Sequence, residues 1–228
     1  MLDLKFLFEK FVLGQHKYEL EVRRVLNTIT GDIFVDVGAN VGYYTHRLRK
    51  QFDRIIAFEP NPEAFRILSH KMSRASHVEL YEIALSNQVG EIPLFTNNEL
   101  VRGKLLTSGA SLLQTWVFRP GHTPDGSKDF QRFGKEQVMV KCATYDSLLK
   151  GTQVSLAKID VEGAEFLVLE GMDRSLAGNK LDSILVELHD RTRRPELESI
   201  LVGYGYRLSW VDPLHCFAEA QELESRRS

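Results

Sequence analysis

The segment Asp32-Ile-Phe-Val-Asp-Val-Gly-Ala-Asn-Val-Gly42 constrains this chain more than any other. Its first half is an apolar, β-branched run, the pattern of a strand buried on both faces of a sheet. Its second half carries Gly38 and Gly42, and the residues from Gly42 to Gln51 then take helical spacing. A buried strand that leaves through a glycine turn into a helix starts a parallel α/β sheet, because parallel strands need a long crossover.

The alternation continues. Arg54-Ile-Ile-Ala-Phe-Glu59 reads as a second buried strand, stopped by Pro60. Pro62 opens a helix over 62–74, since a first-turn proline loses no helical hydrogen bond. Val78–Leu85 is a third strand, Leu156–Asp160 a fourth with a helix from Ala164, and Asp182–His189 a fifth with a helix over 195–203. Tyr206–Val211 and Cys216–Ala220 close the chain as a hairpin. The expected fold is α/β and Rossmann-like: a mostly parallel seven-stranded sheet, helices on both faces, and a terminal antiparallel hairpin. The order breaks once, in an insertion at about 91–143. There 91–96 and 137–143 read as strands with no helix between them, and 97–136 is rich in Gly, Ser, Thr and Asn. Apolar residues at helical spacing over 3–28, split near Gly14, make 1–28 a helical extension and 29–228 the domain.

Length and charge exclude several classes. The 228 residues suffice for one sizeable core, and a net charge of −2 offers no field for nucleic acid. The short basic stretches Arg47/Arg49/Lys50 and Arg191/Arg193/Arg194 read as solvated edges. Cys142 and Cys216 form no C-x-x-C pair, so no zinc or redox motif is expected and a reducing, cytoplasmic compartment is. Asp3, Lys5, Glu9 and Lys10 interrupt the N-terminal apolar residues, which argues against a signal peptide, and no uncharged run reaches membrane-spanning length.

The glycine turn has two readings, a ligand cradle and a tight strand-to-helix connection. As a cradle it presents unpaired helix N–H groups to an anionic group, with Asp36 placed for an ammonium. A dinucleotide fingerprint, G-x-G-x-x-G, fails here twice, at Asn40 and Tyr43. A nucleoside with an amino-acid tail, such as S-adenosylmethionine, is less demanding of those glycines. Glu59 ends the second strand 23 positions after Asp36, where an acid accepts ribose hydroxyls or else caps the next helix. Lys158-Ile-Asp-Val-Glu162-Gly-Ala-Glu165 leaves the fourth strand, which lies beside the first where the strand order reverses. Asp160 and Glu162 are then expected to face the glycine turn, with helix capping the stronger reading for Glu165.

Taken together, Val35-Asp-Val-Gly-Ala-Asn-Val-Gly-Tyr-Tyr-Thr45, Phe58-Glu-Pro-Asn-Pro62, Ile83-Ala-Leu-Ser-Asn87, Ser108-Gly-Ala-Ser-Leu112, Thr144-Tyr-Asp-Ser-Leu-Leu149 and Ile159-Asp-Val-Glu-Gly-Ala-Glu165 resemble the FkbM family of methyltransferases from about residue 30 to about 220. The resemblance implies a class I methyltransferase fold, S-adenosylmethionine as cofactor, and a small-molecule or glycan hydroxyl as acceptor. It implies that Asp36, Gly38, Asn40 and Gly42 hold the methionyl part, that Glu59 takes the ribose and that the Ile83–Ser86 turn lies against adenine, with Ala39, Pro60, Asn61, Ala84 and Asp160 also among the cofactor-binding residues. The extension and the stretch around 113–136 fall outside the pattern.

For the chemistry, an alcohol acceptor must lose a proton, so a positioned base helps. His189, at the end of the fifth strand, has a near-neutral intrinsic pKa; Asp160 and Glu162 are rivals, and His122 lies in the insertion. Asp160, Glu162, His189 and Asp190 carry metal-ligand atoms, but no spacing rule marks a site, and none is expected. Tyr43, Tyr44 and Trp116 are candidates to pave a pocket, with Phe58 read as core. The absence of an Asn/Asp-Pro-Pro-aromatic tetrapeptide and of a Pro-Cys pair disfavours base methylation. An NAD-dependent oxidoreductase and a binding module without catalysis are the alternative functions.

Overall fold

The computed structural model describes residues 16–96, 100–101, 104–105, 111–112 and 136–221. The main sheet is built by β1 (Gly31–Val37), β2 (Phe52–Phe58), β3 (Val78–Tyr81), β9 (Leu156–Ile159), β10 (Ser183–Glu187), β11 (Tyr206–Trp210) and β12 (His215–Ala220). Its order is β11-β12-β10-β9-β1-β2-β3. The five strands from β3 to β10 are parallel, and β12 lies antiparallel to both β10 and β11. The chain winds outward from β1 to β3, returns to β9 at the far side of β1, and winds outward again. The strand order therefore reverses between β1 and β9, as expected.

Alternation along each strand explains why both faces are covered. Val35, Val37, Ile56, Phe58, Ala157, Ile159, Ile184 and Val186 pack on one face against Phe166, Leu169, Met172, Leu197 and Leu201. Those partners come from α5 (Glu165–Glu170), the Gly171-Met172 link behind it and α7 (Arg194–Gly203); the short α6 (Asp173–Ala177) adds Leu176. On the other face Phe34, Ile55, Leu156 and Leu185 meet Val22 and Leu26 of α1 (His16–Asn27) and Leu48 of α2 (Tyr43–Leu48). Leu68 and Met72 of α3 (Pro62–Met72) cover Ala39 and Ala57. Asn61 caps α3, its Oδ1 accepting the Glu63 N–H at 3.1 Å, with Pro62 at the first position. The part of the N-terminal extension before His16 lies outside the described residues.

One expectation is corrected. The third strand does not run from 78 to 85: it breaks at Glu82-Ile83, and β4 (Ala84–Leu85) joins a separate sheet. That sheet has the order β4-β8-β5, with β5 (Gly90–Thr96) antiparallel to β8 (Glu136–Ala143). Pro93 sits in β5 because β5 is an edge, where the missing N–H costs no ladder bond. The helix after the fourth strand is short, broken between α5 and α6 at Gly171. A Cβ at Gly171 would stand 2.1 Å from the Ser86 carbonyl oxygen, so the glycine lets this helix end press on the β4 turn. Strands β6 (Leu100–Val101) and β7 (Lys104–Leu105) form a small hairpin, and α4 (Tyr145–Leu148) is capped by Thr144. Cys142 and Cys216 are both buried free thiols. Among the described residues no helix is long and apolar enough to cross a membrane.

Candidate active site

A cleft opens at the strand-order reversal. Val37, Gly38 and Asn40 wall it from β1, Phe58, Glu59 and Pro60 from β2, and Asp160, Val161 and Glu162 from β9. Ile83, Ala84 and Leu85 close one end. Leu94 of β5 and Leu112 complete the apolar side. The second sheet is thus a wall of the site: Ala84 was expected there, Leu94 and Leu112 were not.

The turn after β1 is held by main-chain bonds. The N–H groups of Gly38 and Ala39 both donate to the Phe58 carbonyl at 3.0 Å. Gly38 has φ 78°, and a Cβ there would stand 1.9 Å from the Asp160 carbonyl oxygen. Glycine is therefore required by the closeness of β9, before any ligand enters. Asn40 takes φ 49°, a conformation that Asn tolerates better than most residues.

Glu59 joins the first two strand ends. Its Oε2 accepts the Asn40 N–H at 2.7 Å and its Oε1 the Asn61 N–H at 2.8 Å. Burial raises its pKa to about 7, against the two backbone N–H groups that favour the anion. Each carboxylate oxygen keeps further acceptor capacity, which suits the two hydroxyls of a ribose.

Not every expected residue reaches the cleft. Asp36 is buried; its Oδ2 accepts the Thr45 hydroxyl at 2.6 Å, and its Oδ1 lies 3.9 Å from Lys158 Nζ and has no hydrogen-bond partner. It therefore braces α2 rather than meeting a ligand's ammonium directly. Ala39 packs under α3, and Gly42 opens α2 where a Cβ would press on Leu68 at 2.5 Å. Asn61 caps α3. Phe58 is core that also shows one edge to the cleft. Tyr43 and Tyr44 pack edge to face at 4.9 Å, away from the cleft wall. Trp116 and His122 lie outside the described residues.

The β9 and β10 ends bring acids and bases together. Lys158 Nζ donates to Asp160 Oδ2 at 3.0 Å. Burial raises the pKa of Asp160, but the Lys158 and His189 charges outweigh it and hold the carboxyl well below its ordinary value. The His189 ring is buried, with Nδ1 2.8 Å from Glu165 Oε1 and Nε2 3.2 Å from Glu162 Oε2. Asp160 Oδ1 and Glu187 Oε1 stand 4.0 and 3.8 Å from Nε2. Burial would lower the pKa of this histidine; the hydrogen bonds and charges of Glu162 and Glu165 overcome it and push it up to about 11. The intrinsic value is thus shifted upward, because the surrounding carboxylates favour the protonated ring. Glu165 makes no helix-capping bond: its Oε1 accepts the Gly163 N–H ahead of the helix at 2.8 Å, and the same oxygen orients His189. Glu162 adopts φ 53°, and the Ser111 hydroxyl pins its carbonyl at 2.7 Å.

This fold and cleft define a Rossmann-like protein of the class I methyltransferase type. The chain belongs to the methyltransferase FkbM domain family, whose pattern matches residues 36–208. It is 25% identical over 229 residues to methyltransferase sdnD of Sordaria araneosa, covering 91% of this chain and 84% of that one. It is 26% identical over 220 residues to the 31-O-demethyl-FK506 methyltransferase FkbM of Streptomyces tacrolimicus, covering 87% and 82%. The hexuronic acid methyltransferase AglP of Haloferax volcanii is 27% identical over 164 residues, 69% of this chain and 56% of AglP. In fold, the crystal structure of a methyltransferase FkbM from Methylobacillus flagellatus superposes with a TM-score of 0.56 at 14% identity, covering 83% of this chain and 43% of that one. A Streptococcus mutans protein solved in complex with S-adenosylhomocysteine superposes with a TM-score of 0.50 at 10% identity, covering 91% and 99%.

Proposed function

We propose that this protein is an S-adenosylmethionine-dependent O-methyltransferase acting on a hydroxyl of a sugar, glycan or natural product. The observation that carries the reading is the convergence of Gly38, Glu59 and Asp160 on one cleft. Relatives support the acceptor class: one is named for a 31-O-demethyl-FK506 substrate and another for a hexuronic acid. A structural neighbour holds S-adenosylhomocysteine.

The residues fit the cofactor. Glu59 would accept the ribose hydroxyls, and the apolar end at Ile83, Ala84, Leu85 and Leu94 would take adenine. The turn at Gly38 and Asn40 would take the methionyl part, with Asp36 acting only through Thr45 and α2. When bound, S-adenosylmethionine supplies an electrophilic methyl carbon on a sulfonium. The chain's task is to hold an acceptor oxygen in line with that carbon and to accept its proton. Asp160 and Glu162 line the cleft for this purpose, with the buried His189 ring beside them. The carboxylates around His189 favour its protonated ring, so Asp160 and Glu162 are the groups placed to take the acceptor's proton.

Incubating the chain with methyl-labelled S-adenosylmethionine and a panel of hydroxylated acceptors tests this reading. Label in an ether product supports it. Cofactor binding with no transfer to any acceptor points to a binding module, and binding of NAD in its place to an oxidoreductase.

A further inference from the structure

We propose that Asp160, Glu162 and His189 form a divalent-cation site at the polar end of the cleft. The inference deepens the methyltransferase reading and rests on it only for what the ion would do. One ligand atom from each residue lies within 4.8 Å of the others. His189 Nε2 is 3.2 Å from Glu162 Oε2 and 4.0 Å from Asp160 Oδ1. Cis ligands of an octahedral ion with bonds of about 2.1 Å stand about 3 Å apart, so small side-chain rotations close the set.

The surroundings are those of a metal site. Glu165, buried to 1% exposure, takes His189 Nδ1 at 2.8 Å and so aims Nε2 at the two carboxylates. A carboxylate behind a ligating histidine is the usual means of fixing its tautomer and ring orientation, and the ion would displace the proton that Nε2 shares with Glu162. The Glu165 oxygen is itself fixed by the Gly163 N–H, which ties the histidine to the turn carrying Glu162. Glu187 stands 3.8 Å from Nε2, a further acid facing the same point. Lys158 is the cation facing Asp160 from β9, and it bonds Oδ2, leaving Oδ1 toward His189. Glu187 itself is paired with His215 at 3.3 Å, which leaves Asp160 and Glu162 as the carboxylates open to the cleft.

One nitrogen and two carboxylate oxygens suit a borderline ion such as Mn²⁺ or Zn²⁺ better than Mg²⁺. Three protein ligands leave positions open, and Asp160 and Glu162 line the cleft, so those positions face the acceptor. An acceptor with two neighbouring oxygens, a vicinal diol or a hydroxy acid, would complete the sphere. A bound hydroxyl also has its pKa lowered, which removes the need for a side-chain base of near-neutral pKa.

The test is titration of Mn²⁺ into the full chain after chelator treatment, with free ion followed by electron paramagnetic resonance. One Mn²⁺ per chain is expected, competed by Zn²⁺, with affinity falling about tenfold or more in Glu162→Gln and in His189→Gln. Glu198→Gln, on the outer face of α7, is the control and leaves binding unchanged. Calorimetry with S-adenosylhomocysteine on the metal-free chain reports separately on the cofactor reading. Failure to bind either ion stoichiometrically, in a chain that binds S-adenosylhomocysteine, overturns the cation site and leaves the cofactor reading standing. Mn²⁺ binding that neither substitution weakens overturns it as well. Loss of S-adenosylhomocysteine binding counts against the methyltransferase reading, and the Mn²⁺ titration still decides the cation site.

Discussion

The Glu59 carboxylate accepts the Asn40 backbone N–H at 2.7 Å, so the acid leaving β2 clamps the turn leaving β1. The clamp places a buried anion at the centre of the cleft and fixes the main chain against which a ligand would lie. Removing it should loosen both. Glu59→Ala is expected to weaken S-adenosylhomocysteine by about 1–3 kcal/mol through lost ribose hydrogen bonds. Isothermal calorimetry measures this directly, and unchanged affinity would remove Glu59 from the ribose site.

The same residue sets a pH dependence. An ionised Glu59 accepts hydroxyl donors, whereas a protonated one does so poorly. Burial raises its pKa from 4.5 to about 7. Cofactor affinity should therefore be full above about pH 8 and fall by up to about tenfold per unit below 7. Stability runs the other way. The raised pKa favours the neutral form on folding, so its contribution is present below pH 4.5 and lost as pH rises through about 7. Dissociation constants across this range check the first effect, and Glu59→Gln should give a flat profile.

Gly38 and Gly151 separate strain from contact. Both have positive φ, 78° and 75°, but an added Cβ meets the Asp160 carbonyl oxygen at 1.9 Å at Gly38 and nothing within 4 Å at Gly151. Gly151→Ala should cost about 1 kcal/mol, the penalty of the left-handed conformation alone. Gly38→Ala should cost about 2–4 kcal/mol, because β1 and β9 must also part. Urea unfolding of the two variants side by side gives the difference.

Glu165 carries two bonds on one buried oxygen, from Gly163 and from His189. Glu165→Ala strands both donors and should destabilise by about 3–5 kcal/mol. Glu165→Gln keeps an acceptor and should cost less. A turnover loss in Glu165→Gln with the cofactor's dissociation constant unchanged marks Glu165 as a positioning residue for His189.

His189→Ala should slow turnover far more than it weakens the cofactor, because the ring's partners are Glu162 and Glu165. Parallel kinetics and calorimetry distinguish the two effects. Equal turnover would leave the carboxylates to act alone.

Much of this was readable from the chain. Runs such as Ile33–Val37 and Arg54–Phe58 announce buried parallel strands, and the acids at their ends mark the edge where a ligand lies. Gly38, Asn40, Glu59, Pro60, Ala84, Asp160 and Glu162 reach the cleft as expected. Asp36 misled because strand alternation, with Val37 on the cleft side, turns its carboxylate toward α2 and Lys158. Leu94 and Leu112 were missed because they come from the second sheet and the insertion, whose packing on the cleft depends on long-range pairing that no local period reveals. The charge state of His189 was equally hidden. It depends on Glu162, Glu165 and Asp160, which lie over 20 residues away in sequence and meet the ring only because β9 and β10 pair.

A crystal structure of the chain with S-adenosylhomocysteine tests the convergence most directly. The expected result is a ribose within hydrogen-bond distance of Glu59, adenine against Ile83–Leu85, and the sulfur facing Asp160 and Glu162. A ligand seated elsewhere, or an NAD pyrophosphate lying across Gly38–Gly42 in its place, would contradict the assignment.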